Sequence, residues 1–578
     1  MSFFALALLI ASCDKSEPAD SGEPVVVDSD SVDTAPPEET SAPPVETGGE
    51  TGGTDTAPPV TSSADLNQGG VITCDDPGDR SALGPLVLAY GGLDWATQYV
   101  APRIGDLTFG RGTVIADLDR DGWLDIYAPN MGVDELFMGQ ADGTWDNETV
   151  ERWHVNEEMT IGGSAVDVDD DGDLDLLTVN RGTPNQLYLN DGSGHFTLAE
   201  DAGLLDLHTG SVTGTWGDMD GDGDLDLFVG AHFSVGDSGF TEAGLPAASE
   251  PSELYENLGG GRFLDRSELL PENVQNSFIY AASWIDLDED EDLDLYIVND
   301  FGSYYEPNIA LMNTLHDSGE LGFYDGTADT SLGIAISGMG LGIGDINGDL
   351  LPDMLMTSWD DIALLESLGG SWYDSSLVRG IGHGGDRHTA WGVDLLDMDN
   401  DGDLDAPVMF GYLSVPSIQG FESPRYQPDA LFELQDDGAF EQRAESWGFD
   451  DTGISRGFIH ADLNNDGFLD LVKINLDGPR QMYLSRCDDS AWLRVSLTQP
   501  APNRDAVGAR VLVEAGGRTL IRWMLVGGTN LNSAGPAEVH FGLGDVDTVD
   551  RLTVLWPDGE IATFEDFSAR QVVQVSRR

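Results

Sequence analysis

Seven times the chain repeats an aspartate-rich nonapeptide of the form D-x-[DN]-x-D-x-x-x-D, beginning at Asp117, Asp167, Asp218, Asp286, Asp345, Asp397 and Asp462. Oxygen donors at alternate positions 1, 3 and 5 of a tight loop converge on one hard cation. A Gly at position 6 permits the sharp turn, a backbone carbonyl comes from position 7, and an Asp at position 9 closes the shell. The expected ligand sets are Asp117, Asp119, Asp121 and Asp125; Asp167, Asp169, Asp171 and Asp175; Asp218, Asp220, Asp222 and Asp226; Asp286, Asp288, Asp290 and Asp294; Asp345, Asn347, Asp349 and Asp353; Asp397, Asp399, Asp401 and Asp405; and Asp462, Asn464, Asp466 and Asp470. Oxygen-only donors in this number suit calcium better than magnesium or zinc. Two loops depart from the pattern, with Glu291 and Leu350 where Gly is expected. A left-handed residue bearing a Cβ costs roughly 1–2 kcal/mol, so five loops read as good sites, the fourth as strained and the fifth as weakest. About five to seven structural calcium ions are expected, with weaker folding in chelator.

An EF-hand does not fit these loops. Its bidentate Glu at position 12 is replaced by Ala128, Thr178, Val229, Ile297, Met356, Val408 and Lys473. Its loop also joins helices, whereas these lead into strand-like runs such as Leu174-Asp-Leu-Leu-Thr-Val179. Strand, loop and strand make a hairpin. A second hairpin signal follows in several repeats, as in Asn185 to Phe196 and Glu253 to Phe263. Four strands per repeat is one propeller blade, and the regular spacing is that of a repeat architecture. The segments ADLDRDGWLDIYAPN and AWGVDLLDMDNDGDLD resemble FG-GAP/VCBS repeats, as in the integrin α-subunit propeller. The resemblance implies an all-β fold: a seven-bladed β-propeller over residues 85–487, with calcium held between the first two strands of a blade.

After Cys487, apolar and polar residues alternate between Gly-rich turns, which predicts a small β domain over 488–578. Asn503-Arg-Asp-Ala-Val-Gly-Ala-Arg-Val511, His540-Phe-Gly-Leu-Gly544 and Val554-Leu-Trp-Pro-Asp-Gly559 resemble the ASPIC/UnbV domain. A propeller followed by this domain is the arrangement of the cartilage acidic protein family and its bacterial relatives.

Residues 1–13 read as a short signal peptide whose Ile10-Ala-Ser-Cys13 resembles a bacterial lipobox, with Cys13 as the lipidated residue. No Lys or Arg precedes the apolar run. Residues 14–84, rich in Ser, Thr, Pro, Glu, Asp and Gly, read as a disordered acidic tether. Cys74 and Cys487 flank the propeller, and an exported location permits a disulfide between them that clasps the ring; two unpaired thiols are the alternative.

Of 105 acidic residues, 33 lie in the seven loops, so the acidity is placed rather than spread. With 26 basic residues the formal net charge is −79, which repels nucleic acid and leaves a lipid anchor as the expected means of membrane attachment. No catalytic residue is assigned. Gly236-Asp-Ser-Gly239 matches a serine-protease nucleophile motif without its partners, and His383-Gly-Gly-Asp-Arg-His388 reads as a loop with surface histidines. Trp123, Trp216, Trp284 and Trp391 read as core rather than carbohydrate platforms. The expected function is therefore an exported, envelope- or surface-anchored binding or adhesion module for a protein or glycan ligand. The inserts 231–252, 301–323 and 411–430 would shape its binding face. Periplasmic and secreted locations stay open. The alternatives are a hydrolase or lyase with its site in the central channel, and a structural envelope component.

Overall fold

The computed structural model describes residues 63–578, except 75–85, 90–102, 105–106, 109–111, 131, 154–158, 205–209, 234–244, 360, 383–387, 416–420, 477 and 479. The lipobox with Cys13, the tether up to residue 62, Gly236–Gly239 and most of the His383 loop lie outside them.

Seven four-stranded antiparallel sheets follow one another along the chain. Blade 3 is representative: Ser211–Gly217, Asp226–Ala231, Glu253–Asn257 and Phe263–Asp265, each strand paired with the next. Every aspartate-rich nonapeptide joins the first strand of a blade to its second. First strands of successive blades lie side by side, and Ser455–Ala461 of blade 7 returns to Val114–Ala116 of blade 1, which closes the ring. First strands such as Thr160–Val166, Ser211–Gly217 and Ile279–Ile285 are buried along their whole length, because both faces of each sheet pack against a neighbouring blade. The apolar side chains accordingly gather between blades. Ile115, Phe137 and Trp145 of blade 1 share one cluster with Ile459, Val472 and Met482 of blade 7. Trp216, Trp284 and Trp391 are buried core residues, while Trp123 is half-buried.

Blade 7 takes three strands from the end of the repeat region and its fourth, Leu86–Ala89, from the beginning. The closure is reinforced covalently by a disulfide between Cys74 and Cys487, whose Cα atoms are 5.6 Å apart.

The C-terminal domain is two four-stranded sheets enclosing Val495, Val511, Phe541, Val554 and Val573. One sheet contains Ala491–Thr498, Glu538–Gly544 and Gln571–Arg577; its edge is Ala64–Gln68, paired antiparallel to the last strand of the chain. The strand Ala64–Gln68 thus falls within the stretch 14–84 expected to be a tether. The strand's polar composition hid it: only Ala64 and Leu66 turn toward the domain core, and backbone pairing holds the rest.

The turn region 526–534 of this domain enters the centre of the ring. Trp216 N–H donates to the Val526 carbonyl (3.4 Å), Ala282 to Gly528 (3.0 Å), Leu341 to Thr529 (3.2 Å), Gly163 to Asn532 (3.3 Å) and Ile115 to Ala534 (2.9 Å). Five inner strands are thus bonded to one segment, and Asn530 and Leu531 lie against Gly392 and Gly457 of blades 6 and 7. The approach is close: a Cβ on Gly162 would sit 2.3 Å from Asn532 Cβ. The central channel is filled by the protein's own chain.

Because the disulfide spans almost the whole ring, replacing either cysteine with serine is expected to lower unfolding stability by about 2–5 kcal/mol. Denaturant unfolding of Cys74→Ser checks this, and an unchanged midpoint would contradict it.

Candidate metal centres

Each nonapeptide loop turns twice through left-handed backbone. Position 6 does so in all seven loops, with φ of 91° at Gly122, 78° at Glu291 and 70° at Leu350. Position 4 does so as well, with a non-Gly residue in five loops: Arg120, Asp170, Glu289, Asn400 and Asn465. These turns aim position 1 back across the loop. Asp218 Oδ1 accepts the N–H of Gly221 (2.8 Å) and its Oδ2 that of Gly223 (3.0 Å). Asp462 accepts from Asp466 and Gly467, both at 2.9 Å.

Position 9 does more than the sequence reading assigned to it. In all seven blades its Oδ2 accepts the backbone N–H of position 2, and its Oδ1 accepts an N–H at the end of the blade's third strand. For Asp226 the donors are Met219 (2.9 Å) and Asn257 (2.8 Å); for Asp470 they are Leu463 (3.0 Å) and Ser485 (2.8 Å). The pattern repeats at Asp125, Asp175, Asp294, Asp353 and Asp405. This buried aspartate therefore locks the loop to the sheet. Asparagines at the end of the third strand carry the link to the preceding blade. Asn190 Nδ2 donates to the Leu118 carbonyl (2.8 Å), Asn257 to Val168 (3.2 Å) and Asn313 to Met219 (2.8 Å). Sequence reasoning missed them; their recurrence at that place in blades 2, 3 and 4 is the signal that marks them.

Five loops gather three carboxylates with one oxygen of each within 4.8 Å of the others: Asp117, Asp119 and Asp125; Asp167, Asp169 and Asp175; Asp218, Asp220 and Asp222; Asp286, Asp288 and Asp290; Asp397, Asp399 and Asp401. The same five loops each hold a buried carboxylate oxygen that no hydrogen-bond donor reaches: Asp119 Oδ1, Asp167 Oδ1, Asp224 Oδ1, Asp292 Oδ1 and Asp397 Oδ1. Converging carboxylates with unspent buried oxygens fit a divalent cation bound through oxygen. Among the described residues, loops 5 and 7, which have Asn347 and Asn464 at position 3, do not gather three carboxylates, and neither leaves a buried carboxylate oxygen without a donor. In loop 5 the Asp345 carboxylate is taken up by the backbone N–H groups of Asn347, Gly348, Asp349 and Leu350, and Asp349 and Asp353 do not converge with it. In loop 7, position 3 is Asn464, and the Asp462 carboxylate accepts the N–H groups of Asp466 and Gly467 and a hydrogen bond from Arg494 Nη1. The strained turn at Glu291 leaves loop 4 gathered, so the left-handed cost at position 6 does not decide which loops converge.

Residues 167–229 match the family described as FG-GAP-like repeat, and residues 499–578 match ASPIC and UnbV. The chain carries FG-GAP-like repeats and an ASPIC/UnbV domain. No curated protein matches it in sequence. Solved structures that are similar include an Agrocybe aegerita lectin described as recognising non-reducing terminal N-acetylglucosamine (13% identity, 74% of this chain and 98% of that one, TM-score 0.37). They also include rhamnogalacturonan lyase YesW (13%, 68% and 75%, 0.35) and YCF48 bound to D1 peptide (12%, 72% and 98%, 0.38). The propeller assignment rests on strand pairing and ring closure.

The ASPIC/UnbV domain sits on the loop face of the FG-GAP ring and meets it with arginines. Arg504 Nε lies 3.4 Å from Asp167, Arg510 lies 3.9 Å from Asp286, and Arg494 Nη1 lies 2.8 Å from Asp462. Arg518 donates to the Asp401 carbonyl at 3.0 Å, and Gly542 N–H to Asp397 Oδ2 at 2.9 Å. Between domain and ring lies a cavity of about 150 Å³ whose lining includes Asp394, His460, Arg522 and His540. Burial holds both imidazoles neutral, His460 down to about 4 and His540 to about 3. They are not gathered with a carboxylate into a metal-binding set among the described residues.

Burial raises the loop carboxyls. Asp167 and Asp218 are pushed up to about 7, Asp125, Asp175, Asp294 and Asp397 to about 8, and Asp226 to about 9. A carboxyl raised in the folded state contributes stability that is full below the unfolded value near 4 and is lost as pH rises through the folded value. In chelator, the melting temperature is therefore expected to fall steadily between pH 5 and 9, by scanning calorimetry. With calcium, the gain over chelator is expected to grow with pH, because the ion binds the deprotonated form. A flat chelator profile would contradict this. Asp226→Asn keeps the shape but sets an amide against a backbone N–H. It is expected to cost about 1–3 kcal/mol, measured by denaturant unfolding, and no loss would remove the bracing role.

Proposed function

We propose that the protein is a calcium-loaded propeller that binds a protein or glycan ligand outside the cytoplasm, held to the cell envelope by a lipid at Cys13 and an acidic tether. The carrying observation is the coincidence, in the same five loops, of three converging carboxylates and a buried oxygen with no donor. Calcium at loops 1, 2, 3, 4 and 6 is structural. It neutralises charge between the first two strands of a blade, where position 9 already ties the loop to the third.

Four further observations support the reading. The Cys74–Cys487 disulfide suits an oxidising compartment. The central channel, where an enzyme site on such a ring would be sought, is taken by residues 526–534. The face opposite the ASPIC/UnbV domain carries the connections between second and third strands. On it stand Tyr304, 45% exposed, and Tyr426, 69% exposed, in the inserts of blades 4 and 6. Exposed tyrosines on inserts suit contact with either ligand class. The order of propeller and ASPIC/UnbV domain agrees with a cartilage acidic protein-like arrangement.

Calorimetric titration of the chelated protein tests the metal reading: about five calcium ions per chain are expected, with a large rise in melting temperature. No binding would contradict it. Binding of the labelled protein to glycan and envelope-protein arrays tests the ligand reading. Calcium-dependent signals lost in a Tyr304→Ala/Tyr426→Ala double variant are expected. Turnover of polysaccharide or peptide substrates without stable binding would favour an enzyme.

A further inference from the structure

We infer that Arg494 of the ASPIC/UnbV domain is the resident cation of loop 7, standing in for calcium there; this rests on the calcium reading of the other loops. The motif Asp462, Asn464, Asp466, Gly467 and Asp470 meets the sequence requirement in full, yet the loop is spoken for. Arg494 Nη1 donates to Asp462 Oδ2 at 2.8 Å and Nη2 to Asn465 Oδ1 at 2.7 Å. Its Nε lies 3.3 Å from Glu538. The Arg494 side chain is 9% exposed and that of Asp462 is fully buried, so the pair is enclosed, with the guanidinium held by these hydrogen bonds and by the ion pair with Glu538. Position 1, the first ligand of the motif, is thereby spent on a guanidinium.

The rest of the domain closes over the same loop. The Trp492 indole lies on Gly467 so closely that a Cβ there would fall 1.7 Å from Trp492 Cε2, and His540 Nε2 is 3.1 Å from the Gly467 carbonyl. No carboxylate oxygen of loop 7 is left buried without a donor among the described residues. Arg504 at loop 2 differs: it is 40% exposed, stands 3.4 Å from Asp167 and leaves that loop's carboxylates converged. A fixed guanidinium and a divalent ion on one carboxylate repel each other. Loop 7 also has only three carboxylates to offset both. The consequence is a division of labour: five loops bind metal, and the loop of the closing blade takes its positive charge from the C-terminal domain.

The test is calcium stoichiometry of the full chain by native mass spectrometry, with terbium emission excited through tryptophan as a second readout. Wild type is expected to hold five ions. Asp466→Asn, which keeps the shape of loop 7 and leaves Arg494 in place, is expected to hold the same five, whereas Asp222→Asn in loop 3 loses one. Arg494→Ala is expected to gain one ion and several-fold terbium emission through Trp492, and Arg494→Lys to gain neither. A wild-type count that drops by one in Asp466→Asn, with no gain in Arg494→Ala, would overturn the inference and leave the calcium reading intact. If wild type binds no calcium, both fall. Should Arg494→Ala fail to fold, the Asp466→Asn count alone decides.

Discussion

At the ninth position of every loop an aspartate is buried with one oxygen on the loop's own backbone and the other on the third strand of the same blade. That contact fixes the loop's course, which brings positions 1 and 3 together with position 9 in loops 1 and 2 and with position 5 in loops 3, 4 and 6. It also puts negative charge where water cannot screen it, beside further carboxylates a few residues away. Desolvation pushes Asp167 up to about 7 and Asp226 up to about 9. A cation at the loop is the one change that relieves repulsion and leaves the hydrogen bonds in place. The geometry of a blade and its demand for positive charge come from the same residues.

Positive charge arrives in two forms. Five loops keep converged carboxylates with unspent oxygens and suit a divalent ion. Loop 7 receives a guanidinium from the next domain. The ASPIC/UnbV domain is therefore part of the ring's construction: it supplies the cation at blade 7, the segment 526–534 along the axis, and the sheet that takes in the N-terminal strand Ala64–Gln68. The disulfide and the strand Leu86–Ala89 close the circle at the same blade. Ring closure and the Arg494 contact thus meet at one blade, where binding would otherwise depend on a diffusible ion.

Much of this was legible in the sequence, for a local reason. Strand, loop and strand are written within a short stretch, and each nonapeptide names its own turn, so blade number, fold class and the expected ligand positions can be read directly. What could not be read depends on distant partners. Ala64–Gln68 and Leu86–Ala89 are short strands whose pairing mates lie some 400 or more residues away. The segment 526–534 reads as an ordinary Gly- and Asn-rich turn until the ring is built around it. Loop 7 carries a good motif, and only Arg494, 32 residues further on in another domain, changes its occupant. Loop 4 shows the opposite case: Glu291 accepts a left-handed φ of 78° and the carboxylates still converge, because a cost of about 1–2 kcal/mol is small beside the contacts that hold the blade.

The most direct test is a crystal structure of the calcium-soaked protein with anomalous data, repeated on terbium-soaked crystals. Metal peaks are expected in loops 1 and 2 among the carboxylates of positions 1, 3 and 9, in loops 3, 4 and 6 among those of positions 1, 3 and 5, and Arg494 is expected on Asp462 in loop 7. Metal in loop 7 with Arg494 displaced, or carboxylate loops without metal throughout, would contradict it.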